Sequence, residues 1–347
     1  MNRKVVLLMD IGGTHCRSKL VQGSDCLFDE DAVIDSRTAK ISDKQAFLTF
    51  IDQLAGSARG KAKPHQAVLC FAGPVVGGSI SMLNWSGQAE ITTRELVEAG
   101  LPPQGITLLN DMEAAAYALL AWNSGHISLD PDPLYTAPAG GNKRNNNALL
   151  LMPGTGIGVS AVIDNNSGHP RGSPQVLACE MQHTPIPVLD EQQESVLNDM
   201  KNKHAIKQPS WEDFISGRGL ENIYRCLAPR RQSAGVSGLN AQDIAGYAVQ
   251  GADGYCVSAL NMFYQCCGAL AQLLALTFQP YAGIYLAGES TRRNLSFIRN
   301  SPFLQQLQHS DVRGYLLREF PVSLLAQELN LYGAAYAAGL GRQDCAS

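Results

Sequence analysis

The chain has 347 residues, 45% of them hydrophobic, and its 27 basic and 31 acidic side chains leave a net charge of -4. That length can bury a full core and suggests two domains, while the lack of any Lys/Arg cluster points away from nucleic acid. Nine cysteines with no C-x-x-C pair argue against a disulfide framework or a cysteine zinc site and suit a reducing cytosol.

Met1-Asn2-Arg3-Lys4 runs straight into an apolar strand with no long h-region, so no signal peptide and a cytoplasmic location are expected. Apolar runs predict strands at residues 5–9, 67–72, 106–109, 148–152, 159–163, 283–287 and 322–325. Helical patterns fall at 112–122, 241–249, 257–278 and 331–340, so the class is α/β. Asn261, Gln265 and Gln272 interrupt the longest apolar stretch, which reads as a core helix and not a membrane span. Residues 130–147, with Asp-Pro-Asp-Pro, Gly-Gly and Asn-Asn-Asn, read as an exposed loop and a tolerated insertion.

The first strand ends in Asp10-Ile11-Gly12-Gly13-Thr14. A lone Gly-Gly is commonly a plain turn, but a carboxylate before it, a hydroxyl after it and bare amides between suit an anion or a hydrated metal. The pattern returns at Gly154-Thr155-Gly156-Ile157-Gly158, again between two strands. Two such units suggest two halves, each presenting a phosphate-binding hairpin to a shared cleft. Neither competing nucleotide motif fits. Val159 occupies the third glycine of a dinucleotide fingerprint, and the Gly56–Lys61 stretch is one residue short of a P-loop and runs into Ala62.

Asn110-Asp111 stands where a strand meets a helix. Asp111 there could be an N-cap, and the same helix amides would hold it ionised to accept a proton from a substrate hydroxyl. Glu180-x-x-His183 would put two ligands on one helical face, but Pro185 and Pro187 follow and no second such pair exists, so a dimetal site is not expected. An extended or looped segment makes the pair hydrogen-bond partners for a polyol, against the simpler reading of a structural histidine. Glu212 precedes Ser216-Gly217-Arg218-Gly219 and a helix, and Ala287-Gly288 ends a buried strand that could seat a nucleoside; a helix-end acid and a strand turn are the plainer readings.

In order, Asp10-Ile-Gly-Gly-Thr14-x-x-Arg17, Asn110-Asp111, Gly154-Thr-Gly-Ile-Gly158, Glu180-x-x-His183, Glu212 in E-x-x-x-S-G-x-G-L, and Leu286-Ala-Gly288 resemble the bacterial hexokinase-type glucokinases across nearly the whole chain. That family belongs to the sugar kinase, actin and heat-shock chaperone superfamily. The resemblance implies a two-domain actin-like ATPase (ribonuclease H-like) fold with the active site in the interdomain cleft. The small domain would cover 1–111, completed by a C-terminal helix at about 329–347, and the large domain 112–328. The implied reaction is ATP-dependent phosphorylation of D-glucose at the 6-hydroxyl, with Asp111 as general base and Asn84, Asn110, Glu180, His183 and Glu212 on the other hydroxyls. Asp10 would orient hydrated Mg²⁺, Gly12, Gly13, Thr14, Gly154, Thr155 and Gly156 would meet phosphates, and Gly288 would border the adenosine. The partners would be glucose and ATP, without nucleic acid or membrane, in a possible homodimer.

Five positions depart from the family pattern. Cys179 replaces a glycine before the sugar loop, Met181-Gln182 fill places usually small, Glu289 follows Gly288 where a second glycine is usual, and His15 stands where asparagine is common. The clustered cysteine motif of the related repressor and sugar kinase family does not follow His183, which argues against zinc. The alternatives are a kinase of another hexose or amino sugar, or a non-catalytic relative responding to sugar or nucleotide.

Overall fold

The computed structural model describes residues 5–22, 32–57, 63–82, 85–86, 90–138, 145–164, 174–203, 206–228 and 238–340. They fall into two compact units, one made of 1–129 with 328–347 and the other of 130–327.

The first unit is built on β1 (Val5–Ile11), β2 (His15–Gln22), β3 (Val33–Lys40), β4 (Gln66–Phe71) and β8 (Ile106–Asn110), in the order β3-β2-β1-β4-β8. β1 is buried along its whole length, as a central strand covered on both faces must be. Its side chains alternate between the two. Leu7 and Met9 join Phe47 and Ile51 of α1 (Lys44–Ser57) on one side. Val6 and Leu8 join Ala114 and Ala121 of α3 (Asp111–Asn123) and Ala334 and Ala335 of the C-terminal helix, residues 330–337, on the other. A small sheet of β5 (Val75–Val76), β6 (Ser79–Ser81) and β7 (Glu90–Thr92) leads into α2 (Thr93–Glu98), which starts with a Thr92/Glu95 capping box.

α3 and the C-terminal helix meet backbone to backbone: a Cβ on Gly333 would lie 1.6 Å from the Ala114 carbonyl oxygen. Alanine and glycine faces are what permit that approach. The contact keeps α3 in the first unit, so the division falls at 129/130 and not at the expected 111/112.

The second unit repeats the plan. β12 (Gln175–Cys179), β11 (Ile157–Ile163), β10 (Ala148–Pro153), β13 (Gly283–Ala287) and β14 (Val322–Leu325) lie side by side with the same sequence of antiparallel, antiparallel, parallel and parallel pairings as the first sheet. A sixth strand, β9 (Pro131–Tyr135), pairs antiparallel with β14 at the edge. The expectation of a plain loop over 130–147 is therefore corrected at its start. Proline lacks the N–H that an inner strand must donate, but an edge strand tolerates it. Residues 139–144 lie outside the described residues.

Helices α4 (Glu191–Lys203), α5 (Gly217–Leu227), α6 (Ala241–Val249) and α7 (Gly254–Phe278) cover this sheet together with α8 (Glu289–Arg293), α9 (Leu295–Ile298), α10 (Phe303–Gln308) and α11 (Gly314–Leu317); the C-terminal helix of the first unit is α12 (Asn330–Ala337). α7 starts where Asp253 accepts from the amides of Tyr255 and Cys256, and ends at Gln279, which adopts a left-handed conformation. It is long and apolar enough to cross a membrane, yet most of it is buried within the unit, as a core helix should be.

Candidate active site

The two Gly/Thr turns occupy matching places in the two sheets, each joining a central strand to its antiparallel neighbour. In the first, Gly12 N donates to His15 O at 2.9 Å and leaves Thr14 exposed. Asp10, just before it, is 8% exposed. Its Oδ2 accepts from Arg17 Nη2 at 2.6 Å and its Oδ1 from Asn330 Nδ2 at 2.9 Å, so a cation and an amide orient the carboxylate. Arg17 also pairs with Glu328. Neither Asn330 nor Glu328 was foreseen, since only the folded chain returns them to β1.

At the end of β8 the N-cap is Asn110 and not Asp111. Asn110 Oδ1 accepts from Met112 N at 2.8 Å, Glu113 closes a capping box on the Asn110 amide, and Asn110 Nδ2 donates to Gly73 O at 3.1 Å. The cap reading for Asp111 is thus moved by one residue. Asp111 is the first residue of α3, half-buried, with its carboxylate accepting from Met112 N at 2.9 Å. Asn84 lies outside the described residues; its neighbour Trp85 is core, against Phe47.

In the second unit the turn is closed by Gly154 N donating to Gly156 O at 2.7 Å. Gly154 O accepts from Gly217 N at 2.9 Å, joining the turn to the start of α5, where Ser216 caps Gly219 N. A Cβ on Gly156 would lie 2.9 Å from Glu212 Oε2, so the second Gly/Thr turn and the Glu212 carboxylate lie side by side. Glu212 N donates to Gln182 O at 3.1 Å, linking it to the segment 180–183.

That loop is neither extended nor an α-helix. Met181–His183 form one 3₁₀ turn, in which side chains three apart eclipse, and His183 Nε2 lies 3.3 Å from Glu180 Oε2. Both side chains are exposed. Among the described residues no group of three or more His, Cys, Asp or Glu could hold a metal ion.

Behind the turn, wholly within the second unit, lies a cavity of about 750 Å³. Gly154, Thr155, Ser216 and Gly217 form one part of its wall, Leu220, Ala245 and Phe263 an apolar part, and Glu289, Ser290 and Arg293 another. The size suits a nucleoside, and the start of α5 offers amides to anionic groups. Gly288 begins α8, and Ser290 Oγ donates to Pro153 O at 2.6 Å, fastening α8 to the strand that carries the second Gly/Thr turn. Glu289 is engaged by Arg292 and Arg293, whose hydrogen bonds hold its carboxyl down to about 2. The wall contributed by α6 and Ser290 was not read from sequence, where both are ordinary amphipathic or polar positions.

Two units of this plan, with a nucleoside-sized cavity behind a Gly/Thr turn, define the actin-like ATPase fold of the sugar kinases. The family model for Glucokinase matches residues 7–340. The chain is 30% identical to the glucokinase of Neisseria gonorrhoeae, covering 96% of this chain and 94% of that protein, and 29% identical to that of Saccharophagus degradans, covering 95% and 97%. The crystal structure of Balamuthia mandrillaris glucokinase in complex with glucose shares the fold with a TM-score of 0.80 at 23% identity, over 97% of this chain and 94% of that one. The chain belongs to the glucokinase family.

Proposed function

We propose that the protein transfers the γ-phosphoryl group of ATP to the 6-hydroxyl of D-glucose, giving glucose 6-phosphate, with Asp111 as general base. The observation that supports this reading is that Glu212 lies beside the turn at 154–158 within one unit, as a carboxylate for a sugar hydroxyl next to a phosphate turn would. Asp111 takes the proton of the 6-hydroxyl as that oxygen attacks phosphorus. Phosphoryl transfer needs little from the protein beyond positioning and charge stabilisation. Glu180, His183 and Glu212 hold the remaining hydroxyls, and Asn110 contributes whatever hydrogen-bonding capacity its cap and its bond to Gly73 leave. Asn84 completes this set. Gly12, Gly13, Thr14, Gly154, Thr155 and Gly156 meet phosphate oxygens, and Gly288 borders the adenosine.

The donor set at Asp10 fits Mg²⁺. It is a hard oxygen, nearly buried beside the first Gly/Thr turn, and the buried Asn330 Oδ1 next to it has no partner among the described residues. Mg²⁺ characteristically binds through one or two carboxylates, retained waters and substrate phosphates. Asp10 would hold it through water, and when bound it neutralises phosphate charge. The free cysteines of the described residues fit a cytoplasmic enzyme. A homodimer is carried by the family resemblance, and light scattering of the purified protein tests it.

The test is sugar-dependent ADP release with Mg-ATP across glucose, mannose, fructose, glucosamine and N-acetylmannosamine, beside Asp111→Ala. Glucose-selective turnover that falls at least about 10²-fold in the variant is expected. Selectivity for another sugar overturns the substrate, and an active variant overturns the base.

A further inference from the structure

Gln182 is the buried member of the sugar-loop turn. It is 5% exposed, whereas the side chains of Glu180 and His183 are more than half exposed. Its Nε2 donates to Glu180 Oε2 at 2.7 Å, and His183 Nε2 approaches that same oxygen. Both contacts fall on Oε2, so neither occupies Oε1. The Gln182 backbone carbonyl accepts from Glu212 N, so one residue touches both candidate sugar carboxylates. Its own Oε1 is buried without a partner among the described residues, which leaves the bond to Glu180 as the polar tie that orients the carboxamide.

We propose that Gln182 is a positioning residue that fixes the Glu180 carboxylate toward one sugar hydroxyl and thereby sets discrimination among hexoses. The inference rests on the proposed glucose site. The donor is neutral but the acceptor is charged, and such bonds are short and about twice as strong as neutral pairs. Held by Gln182 on Oε2, Glu180 presents its other oxygen to a hydroxyl in one orientation. A site that binds a hydroxyl in this way strongly rejects the analogue lacking it, because its polar group is then left unpaired. A small residue at 182 could not supply this bond.

The decisive variant is Gln182→Met, which keeps the side-chain volume but cannot donate. Calorimetric binding of glucose, and steady-state kinetics with glucose and its 1-, 2-, 3- and 4-deoxy analogues, are run on the variant and the wild type. Gln182→Met is expected to weaken the glucose Kd and raise the glucose KM about tenfold, a typical loss for a hydrogen bond to a charged group. The kcat and the KM for ATP should stay within about twofold. With the one deoxyglucose that lacks the hydroxyl accepted by Glu180, the variant should lose little further affinity, a pattern that a packing defect would not produce. An unchanged glucose Kd, or an equal penalty with every deoxy analogue, overturns the proposal. Failure of the reaction itself is read separately: glucose binding that weakens tenfold in the variant supports the positioning role even without turnover, and a wild type that binds no glucose overturns it.

Discussion

At residues 110 and 111 two adjacent side chains divide two tasks that the sequence leaves on one. Asn110 caps α3 and reaches Gly73, while Asp111 stands first in the helix. Substituting them should therefore separate stability from chemistry. Asn110→Ala removes a cap worth about 1 kcal/mol, and urea unfolding should register that loss. Asp111→Ala should move the same midpoint by less than about 1 kcal/mol, the usual limit for a charge at a helix start, while kcat falls about 10² to 10⁴-fold. An Asp111→Ala variant that stays active would mean that another group takes the proton. Gly156 offers a second residue-scale test. A methyl group there meets the far end of the Glu212 side chain, which can swing away, so Gly156→Ala should fold normally. The displaced carboxylate should raise the glucose KM several-fold, and substrate titration of the variant checks it. An unaltered KM would mean that Glu212 tolerates the displacement or does not hold the sugar.

At the scale of elements, the contact of α3 with α12 is the most demanding in the first unit. Gly333 lies against the Ala114 carbonyl with no room for a Cβ, and the clash is with backbone, which cannot rotate away. Gly333→Ala should cost about 3 kcal/mol, the upper part of the range for overpacking, seen as a lower urea midpoint. Because α12 also carries Asn330, which orients Asp10, activity should fall with it. A variant as stable as the wild type would mean that the two helices separate easily. Helix 331–340 was legible in sequence, since its apolar periodicity is local, but its seat on α3 was not. The same limit governs the other elements. Strands such as 283–287 are continuous apolar runs that identify themselves, and the paired Gly/Thr turns announced two related halves. β9 was hidden because Pro131 and Pro133 argue against a strand until an edge position is known, and β14 supplies that edge only from residues 322–325. In the site, Glu180 and His183 could be named as a pair, but the single 3₁₀ turn that joins them depends on contacts with residues near 212.

Across the whole molecule, both units hide thiols in their cores, and this gives the protein an alkaline weakness. Burial, with Asp10 nearby, pushes the Cys16 thiol up to about 12, and burial pushes Cys267 to about 12 as well. Cys70 and Cys266 are also raised by burial, with smaller contributions from neighbouring ionisable groups. In the unfolded chain these groups ionise near about 8.5. Below that value both states hold the protons and no thiol contribution to the pH dependence arises. Between about 8.5 and 12 the folded state keeps protons that the unfolded state releases, so stability is lost as pH rises, by up to about 1.4 kcal/mol per pH unit for each thiol. Urea unfolding at pH 7, 9 and 10 should show a free energy that is level at first and then declines, and Cys267→Ala should reduce the decline. Iodoacetamide at pH 8.5 should leave these four thiols unmodified in the native protein and label them once urea unfolds it. Stability that holds constant to pH 10, or native labelling as fast as that of a free cysteine, would mean that the two cores admit water and base far more readily than their packing implies.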